Sequence, residues 1–322
     1  MLNASPYEDG QAAGWDAFVD NSSNGTLFNL RRFLGYHPPG RFRDASFWLL
    51  HKGNRVAAIP GVIIGERWVS HGGASYGGFV LGGKRINYEY CHEVVKASVA
   101  HVRGLGAKTM TVTMTPAFYR KAPHDYLEAA MQFQGFRFAK RDITSACGNL
   151  HPGFLDDWVN KARGATRHAM TAGLEIVHRA RPTAEELDSF HRILTVNRES
   201  IGAYVTHSRE DLDSLYRQVP EALDFYLARH KGLDVGCGLV FRANPRVDLI
   251  FYVAHLREHQ HLKPIHLLVH SIYESAVARG VPWIDYGIST INQKLTNNGL
   301  LLAFKENFNM QGFFRDTFTL DL

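Results

Sequence analysis

The chain has 322 residues, of which 45% are hydrophobic and 21% charged, with a net charge of +5 and a pI near 9.0. This is globular composition with apolar material for two cores, and no run of about 18 apolar residues offers a membrane-spanning helix. Three scattered cysteines, Cys91, Cys147 and Cys237, exclude a disulfide framework and a cysteine-based zinc site. The mild basic bias favours an anionic partner: a nucleotide, a phosphate-bearing ligand or RNA. The opening Met1-Leu-Asn-Ala-Ser-Pro-Tyr-Glu-Asp lacks a basic region followed by an apolar stretch, so a cytoplasmic location is expected.

In chain order, Trp15, Phe18 and Val19 mark a short amphipathic helix, and Leu30, Phe33 and Leu34 a second. Ser46 to His51 and Arg55 to Ile64 read as two strands of a hairpin turning at Lys52-Gly53-Asn54. A glycine-rich stretch runs from His71 to Gly78. Residues 86–103 have helical periodicity, Lys108 to Met114 reads as a strand, Tyr126 to Phe133 as a helix and Phe136 to Ile143 as a strand. After Cys147-Gly-Asn-Leu-His-Pro-Gly153 the order begins again. A basic helix over 161–173 leads to a strand, Leu174 to His178. Thr183 with Glu186 three residues on starts a helix that runs towards Ser200. A helix over 209–218 is followed by strands Leu223 to Arg229, Gly236 to Arg242 and Val247 to Ala254. Pro264 opens a helix ending near Gly280, Trp283 to Tyr286 is a strand, and Phe313 to Leu320 is the last. This order predicts an α/β chain with mixed sheets, divided into lobes 1–148 and 149–312, with the final strand, 313–322, packing back onto the first lobe.

Several motifs carry competing readings. Gly73-Ala-Ser75-Tyr-Gly77 fits the G-x-S-x-G hydrolase elbow, but Gly78-Phe-Val-Leu-Gly-Gly is no helix start. The stretch is therefore either a tight structural turn or a loop where a ligand comes close, with His71 and Tyr76 as contacts. His266 and His270 stand four residues apart on one helix with His255, His259 and His261 just upstream, yet no Glu or Asp sits at telling spacing, so no metal is expected. Lys161, Arg163 and Arg167, beside His168, are either a solvated face or a phosphate contact. No Q/R-x-x-G-x-G/A loop, which would hold the pyrophosphate of coenzyme A, is present. Its nearest approach is Arg103-Gly-Leu-Gly106-Ala-Lys108, and the turn His255 to Lys263 has no glycine at all. Near the end, the Trp283-to-Tyr286 strand closes in Asp285-Tyr-Gly287, and the segment after Gly299 carries Phe304-Lys305. A lysine there is either solvated or a cation placed where negative charge develops in acyl transfer.

Trp15, Thr26-Leu-Phe28, the Tyr76-Gly-Gly78 loop, the basic helix through Gly173, Thr195-Val-Asn-Arg198, Asp285-Tyr-Gly287 and Phe304-Lys305 with Phe308 occur in an order that resembles the FemAB-like branch of the GNAT superfamily. The resemblance covers nearly the whole chain and implies two tandem GNAT-like lobes. It also implies transfer of an aminoacyl group from aminoacyl-tRNA to an amine, with no bound cofactor, although some relatives use acyl-CoA. Phe304-Lys305 stands at the family's catalytic pair, Thr195 and Arg198 at positions that contact nucleotide-linked phosphates, and Tyr252 at an acceptor-site tyrosine. Tyr36-His37 replaces a lysine found in the bridge-forming enzymes, which widens the acceptor to another envelope precursor or a small metabolite. Asp285 and Tyr36 join the substrate-binding candidates, and Lys161, Arg163 and Arg167 the donor-phosphate candidates. The alternatives are an acyl-CoA-dependent N-acyltransferase and a non-catalytic module binding a nucleotide sugar or RNA.

Overall fold

A computed structural model describes residues 1–322 apart from His71, Lys84 and Asn292 and the side chain of Ile291. His71 therefore lies outside the described residues. Two compact units are formed, Met1–Asp142 with Phe314–Leu322, and Ile143–Phe313.

The first unit contains β1 (Asn3–Pro6), α1 (Ala12–Asn21), α2 (Arg31–Leu34), β2 (Arg43–Asp44), β3 (Phe47–His51), β4 (Asn54–Ile59), β5 (Val62–Ile64), β6 (Arg67–Val69) and β7 (Val80–Leu81). It continues through α3 (Tyr88–Gly104), β8 (Thr109–Thr113), α4 (Tyr126–Phe133) and the start of β9 (Arg137–Gly148). One sheet has the order β1-β3-β4-β7, and a second run lays the chain's last strand on β8, then β6, β5 and β2. The last strand pairs antiparallel from Thr317 opposite Thr113 to Asp321 opposite Thr109. Apolar residues of α3 at helical spacing, Cys91, Val94, Val95, Val99 and Val102, pack on Phe47, Leu49, Met110 and Val112.

The expected single strand Arg55 to Ile64 is wrong: it is two strands, β4 and β5, in different sheet runs. Pro60 has no N–H for a ladder and breaks the segment, and Gly61 lets it turn against a ring. A Cβ on Gly61 would stand 2.0 Å from Trp68 Cζ2, and Trp68 is wholly buried with its indole N–H donating to Ala45 O at 3.0 Å. Gly61→Ala is expected to cost roughly 1–3 kcal/mol by overpacking. A lower urea midpoint at unchanged slope checks it.

The second unit takes the end of β9 and adds α5 (Asn160–Thr171), β10 (Leu174–Arg179), α6 (Ala184–Ser200), α7 (Arg209–Gln218), β11 (Leu223–His230), β12 (Leu233–Asn244) and β13 (Val247–His255). Then follow α8 (Pro264–Ala278), β14 (Trp283–Ile288), β15 (Thr290–Ile291), β16 (Lys294–Leu295), α9 (Leu300–Glu306) and the start of β17 (Gln311–Asp321). The sheet order is β10-β11-β12-β13-β14-β9. Helix α6 opens on a reciprocal cap, with Glu186 N donating to Thr183 Oγ1 at 3.2 Å and Thr183 N donating to Glu186 Oε2 at 2.9 Å. Ser208 and Asp211 cap α7 in the same way. Leu268, Ile272, Tyr273 and Ala276 of α8 pack against Tyr226, Val240 and Ile250 of the sheet, forming the core.

One pairing in this sheet is parallel, β13 with β14, and it is short. It runs from Val247 opposite Trp283 to Leu249 opposite Asp285, although β13 continues to His255 and β14 to Ile288. Phe251 is an extra residue between Ile250 and Tyr252 in the pairing with β12, and β14 is irregular between Asp285 and Ile288, with Gly287 at φ +71°. A bulge on one strand and a left-handed glycine on the other turn the two strands apart. Backbone groups beyond Asp285 lose their ladder partners there and need others.

Candidate active site

Lys305 meets that need. Burial leaves it 3% exposed, and its Nζ donates to Gly287 O at 2.8 Å and Ile288 O at 2.9 Å. It also lies 5.2 Å from the Tyr286 ring centroid. The residue is on a helix, but the reading of a solvated surface lysine fails. α9 is short, and its neighbours Phe304 and Phe308 pack edge-on, 5.1 Å apart, fixing the face from which Lys305 projects. An ammonium has three N–H donors; two are spent on carbonyls, and the third has no acceptor among the described residues.

Burial lowers the Lys305 pKa to about 8, opposed by the negative charge of Asp285. The ammonium is thus mostly present at neutral pH and is lost as pH rises past about 8. Asp285 is fully buried. Its Oδ1 accepts from Thr144 Oγ1 at 2.6 Å and from Gly287 N at 2.8 Å, so one carboxylate holds both the β14 turn and the field around Lys305. Burial also raises the Tyr286 phenol well above its ordinary range, keeping it neutral.

Other sequence candidates gather around the same strands. Arg198 lies 5.9 Å above the Tyr252 ring, and its charge also acts on the Tyr286 phenol. Its guanidinium has no hydrogen bond or ion pair among the described residues. Tyr252 is buried, and its hydroxyl lies 2.8 Å from His207 Nδ1. Thr195, one turn before Arg198 on α6, has a buried Oγ1 without a partner among the described residues. A free cation and an orphaned hydroxyl three residues apart on one helix face suit an oxygen-rich ligand. The structure therefore brings together Lys305, Phe304, Asp285, Arg198 and Tyr252.

The remaining candidates sit elsewhere or are otherwise engaged. Tyr36 and Tyr76 belong to the first unit. Tyr36 is buried, 4.0 Å from the His37 ring. Tyr76 is buried between Phe28 and Tyr119 with Arg315 4.5 Å above its ring. Arg315 also donates to Ser75 O, so the glycine-rich stretch is held by packing. Gly78 is followed by β7 and not by a helix, as its sequence indicates. On α5, Arg163 is tied to Asp156 and Asn160, whereas Lys161 and Arg167 are exposed. Among the described residues no group of three or more histidines, cysteines or carboxylates could hold a metal, and His270 pairs with Glu274 at 3.2 Å.

Sequence reasoning missed the roles of four contributors. Tyr286 lay inside the quoted Asp285-Tyr-Gly287 turn, and its partial burial could have been inferred from the flanking apolar run. Thr144 and His207 gave no signal, because each acquires its role only by meeting a residue 141 or 45 positions away. His266 belongs with them: its ring stands edge-on to Phe304 at 5.7 Å.

Residues 159–294, which include the splayed β13–β14 pair, match the family described as acetyltransferase (GNAT) domain. As a whole the chain has the fold of tandem GNAT structures. Among solved structures it is similar to FemX, at 12% identity and a TM-score of 0.75, covering 99% of this chain and 97% of that one. It is also similar to a tandem GNAT protein from the clavulanic acid biosynthesis pathway, at 15% identity and a TM-score of 0.61 over 100% and 98% of the two chains. A third is the C-terminal domain of a putative lysylphosphatidylglycerol synthetase from Agrobacterium fabrum, at 13% identity and a TM-score of 0.63 over 97% and 92%. No curated protein sequence matches the chain. No helix among the described residues is long and apolar enough to cross a membrane.

Proposed function

We propose that the protein is an N-acyltransferase that moves an aminoacyl group from aminoacyl-tRNA to an amine of a cell-envelope precursor or small metabolite. The observation that carries this reading is the buried Lys305, held by two carbonyls with its third donor free. In the reaction the amine nitrogen attacks the ester carbonyl, a C–N bond forms, and the ester C–O bond breaks. The proton lost by the amine ends on the departing ribose oxygen. Lys305 donates to the tetrahedral oxyanion, in a setting where burial makes one such donor worth about 10²-fold or more in rate. Asp285 keeps that lysine charged, and Phe304 keeps it aimed.

An aminoacyl-tRNA donor is favoured over acyl-CoA by the turn between β13 and α8. A GNAT that holds a pyrophosphate does so with glycine-rich backbone amides at a helix start; here that turn is the glycine-free 3-10 helix Arg257–Leu262. Thr195 and Arg198 are assigned to the acceptor's phosphate or hydroxyl groups, with Tyr252 beside them. Competition binding tests the donor class: charged tRNA is expected to bind in preference to acetyl-CoA, and tight CoA binding without tRNA would transfer the assignment to an acyl-CoA-dependent enzyme. Ligand binding with no amide formed from any donor would leave a non-catalytic module.

A further inference from the structure

The two units finish the same end of their sheets differently. In the second unit β10, β11 and β12 lie side by side in antiparallel pairs, and β1, β3 and β4 do so in the first. Where β10 ends, β11 begins and α8 stops, the second unit is sealed by its own charges. Asp224, wholly buried, lies 2.9 Å from His178 Nε2 and accepts from Arg242 Nε at 2.7 Å, and Arg279 pairs with Asp248. Where β1 ends, β3 begins and α3 stops, the first unit has instead an open cavity of about 360 Å³, a size that suits a small ligand.

The charges around this cavity sort into answered and unanswered. Asp44 is bound by Arg31, which also stacks 3.8 Å from the Tyr7 ring centroid and donates to Ser46 Oγ at 3.1 Å. Glu66 is bound by Lys108 at 2.6 Å. Asp9 and Arg43 line the same cavity and are exposed, yet their side chains make no hydrogen bond or ion pair among the described residues, not even with each other. His101 lies against Phe47, ring centroids 4.3 Å apart, and its ring nitrogens also lack hydrogen-bond partners among the described residues. Burial lowers the His101 pKa, so at neutral pH it adds one donor and one acceptor without charge.

We propose that this cavity of the first unit binds a free α-amino acid as its zwitterion, with Arg43 on the carboxylate and Asp9 on the ammonium. Two opposite charges that share a cavity without meeting are both satisfied only by a ligand carrying both. A simple amine leaves Arg43 unmet, and a simple acid leaves Asp9 unmet. The Arg43 fork suits a carboxylate, which it can bind through two N–H groups at once. Three carboxylates, Asp9, Asp44 and Glu66, line the cavity against one guanidinium, so a nucleotide or another polyanion is repelled there although the chain as a whole is basic. Every lining residue lies within Met1–Asp142, and the proposal does not depend on the acyl-transfer reading above.

Calorimetric titration of the whole chain with each proteinogenic amino acid tests it. At least one is expected to bind at millimolar concentration or below. Its N-acetyl derivative, which lacks the ammonium, and its amide, which lacks the carboxylate, should each bind about tenfold or more weakly, through loss of one charge-assisted contact. Asp9→Asn should weaken the amino acid by a similar factor while leaving the N-acetyl form unchanged, and Arg43→Gln should do the same with respect to the amide. Neither side chain supports another residue, so both variants should unfold with the wild type and lost binding will not be lost fold. Lys305→Met should bind the amino acid as the wild type does. No amino acid bound at millimolar concentration, undiminished binding of the N-acetyl and amide forms, wild-type affinity in Asp9→Asn and Arg43→Gln, or loss of binding in Lys305→Met would each overturn the proposal.

Discussion

Lys305→Met is expected to lower turnover by about 10²-fold or more while leaving the unfolding free energy close to the wild-type value. The two halves of this expectation have separate causes. Holding an ammonium where its pKa falls from 10.5 to about 8 costs about 3 kcal/mol at neutral pH, and methionine removes that cost. It also strands the carbonyls of Gly287 and Ile288, at about 1–3 kcal/mol each, so the terms oppose one another. A lysine kept for structure alone would show the reverse: large destabilisation with turnover per folded molecule intact. Denaturant unfolding beside a turnover assay measures both.

The pH dependence has a fixed sign. Lys305 loses its proton as pH rises past about 8, so its titration should lower turnover on the alkaline side. Arginine stays charged throughout this range, and any activity retained by Lys305→Arg should lack that falling limb. For stability, the unfolded chain binds the proton more tightly between about 8 and 10.5, so this group's contribution makes the fold more stable as pH rises through that window.

Asp285→Asn is the second change with a large expected effect. Asparagine can still accept from Thr144 and Gly287, so the turn survives, but the negative charge that supports Lys305 is gone. Removing one partner of a buried charge pair typically costs 3–5 kcal/mol, or roughly that. The loss should be greater at pH 6, where Lys305 must hold its proton, than at pH 9, where it is neutral. The alkaline limb of the turnover profile should move to lower pH. Equal destabilisation at both pH values with an unmoved limb would mean that Asp285 acts only as a turn former.

Much of the second unit was legible because its signals are local. Thr183 and Glu186 mark the start of α6, Arg209–Gln218 matches the periodicity of α7, and the apolar runs of β11, β12 and β13 are bounded by turn residues. The Phe304-Lys305 pair stood out because it follows a turn and a short apolar strand. What stayed hidden depends on contacts distant in sequence. Nothing near Leu249 announces that β13 will leave β14, since the separation arises from Phe251 and Gly287 acting on opposite strands. The burial of Lys305 follows from that separation, which explains why composition favoured a solvated lysine. Pro60 was a visible break signal, overridden by the apolar run Arg55 to Ile64. Arg163 reads as part of a phosphate-binding face until Asp156, seven residues before it, is seen to neutralise it.

The most direct measurement follows label from an amino acid esterified to tRNA into alkali-stable amide, using a mixture of amine-bearing sugars, nucleotide sugars and short lysine peptides as acceptors. Acyl transfer through Lys305 predicts amide formation with the wild type, loss of about 10²-fold or more with Lys305→Met, and none when acetyl-CoA replaces charged tRNA. Equal amide formation by Lys305→Met, or amide formed from acetyl-CoA alone, would contradict it.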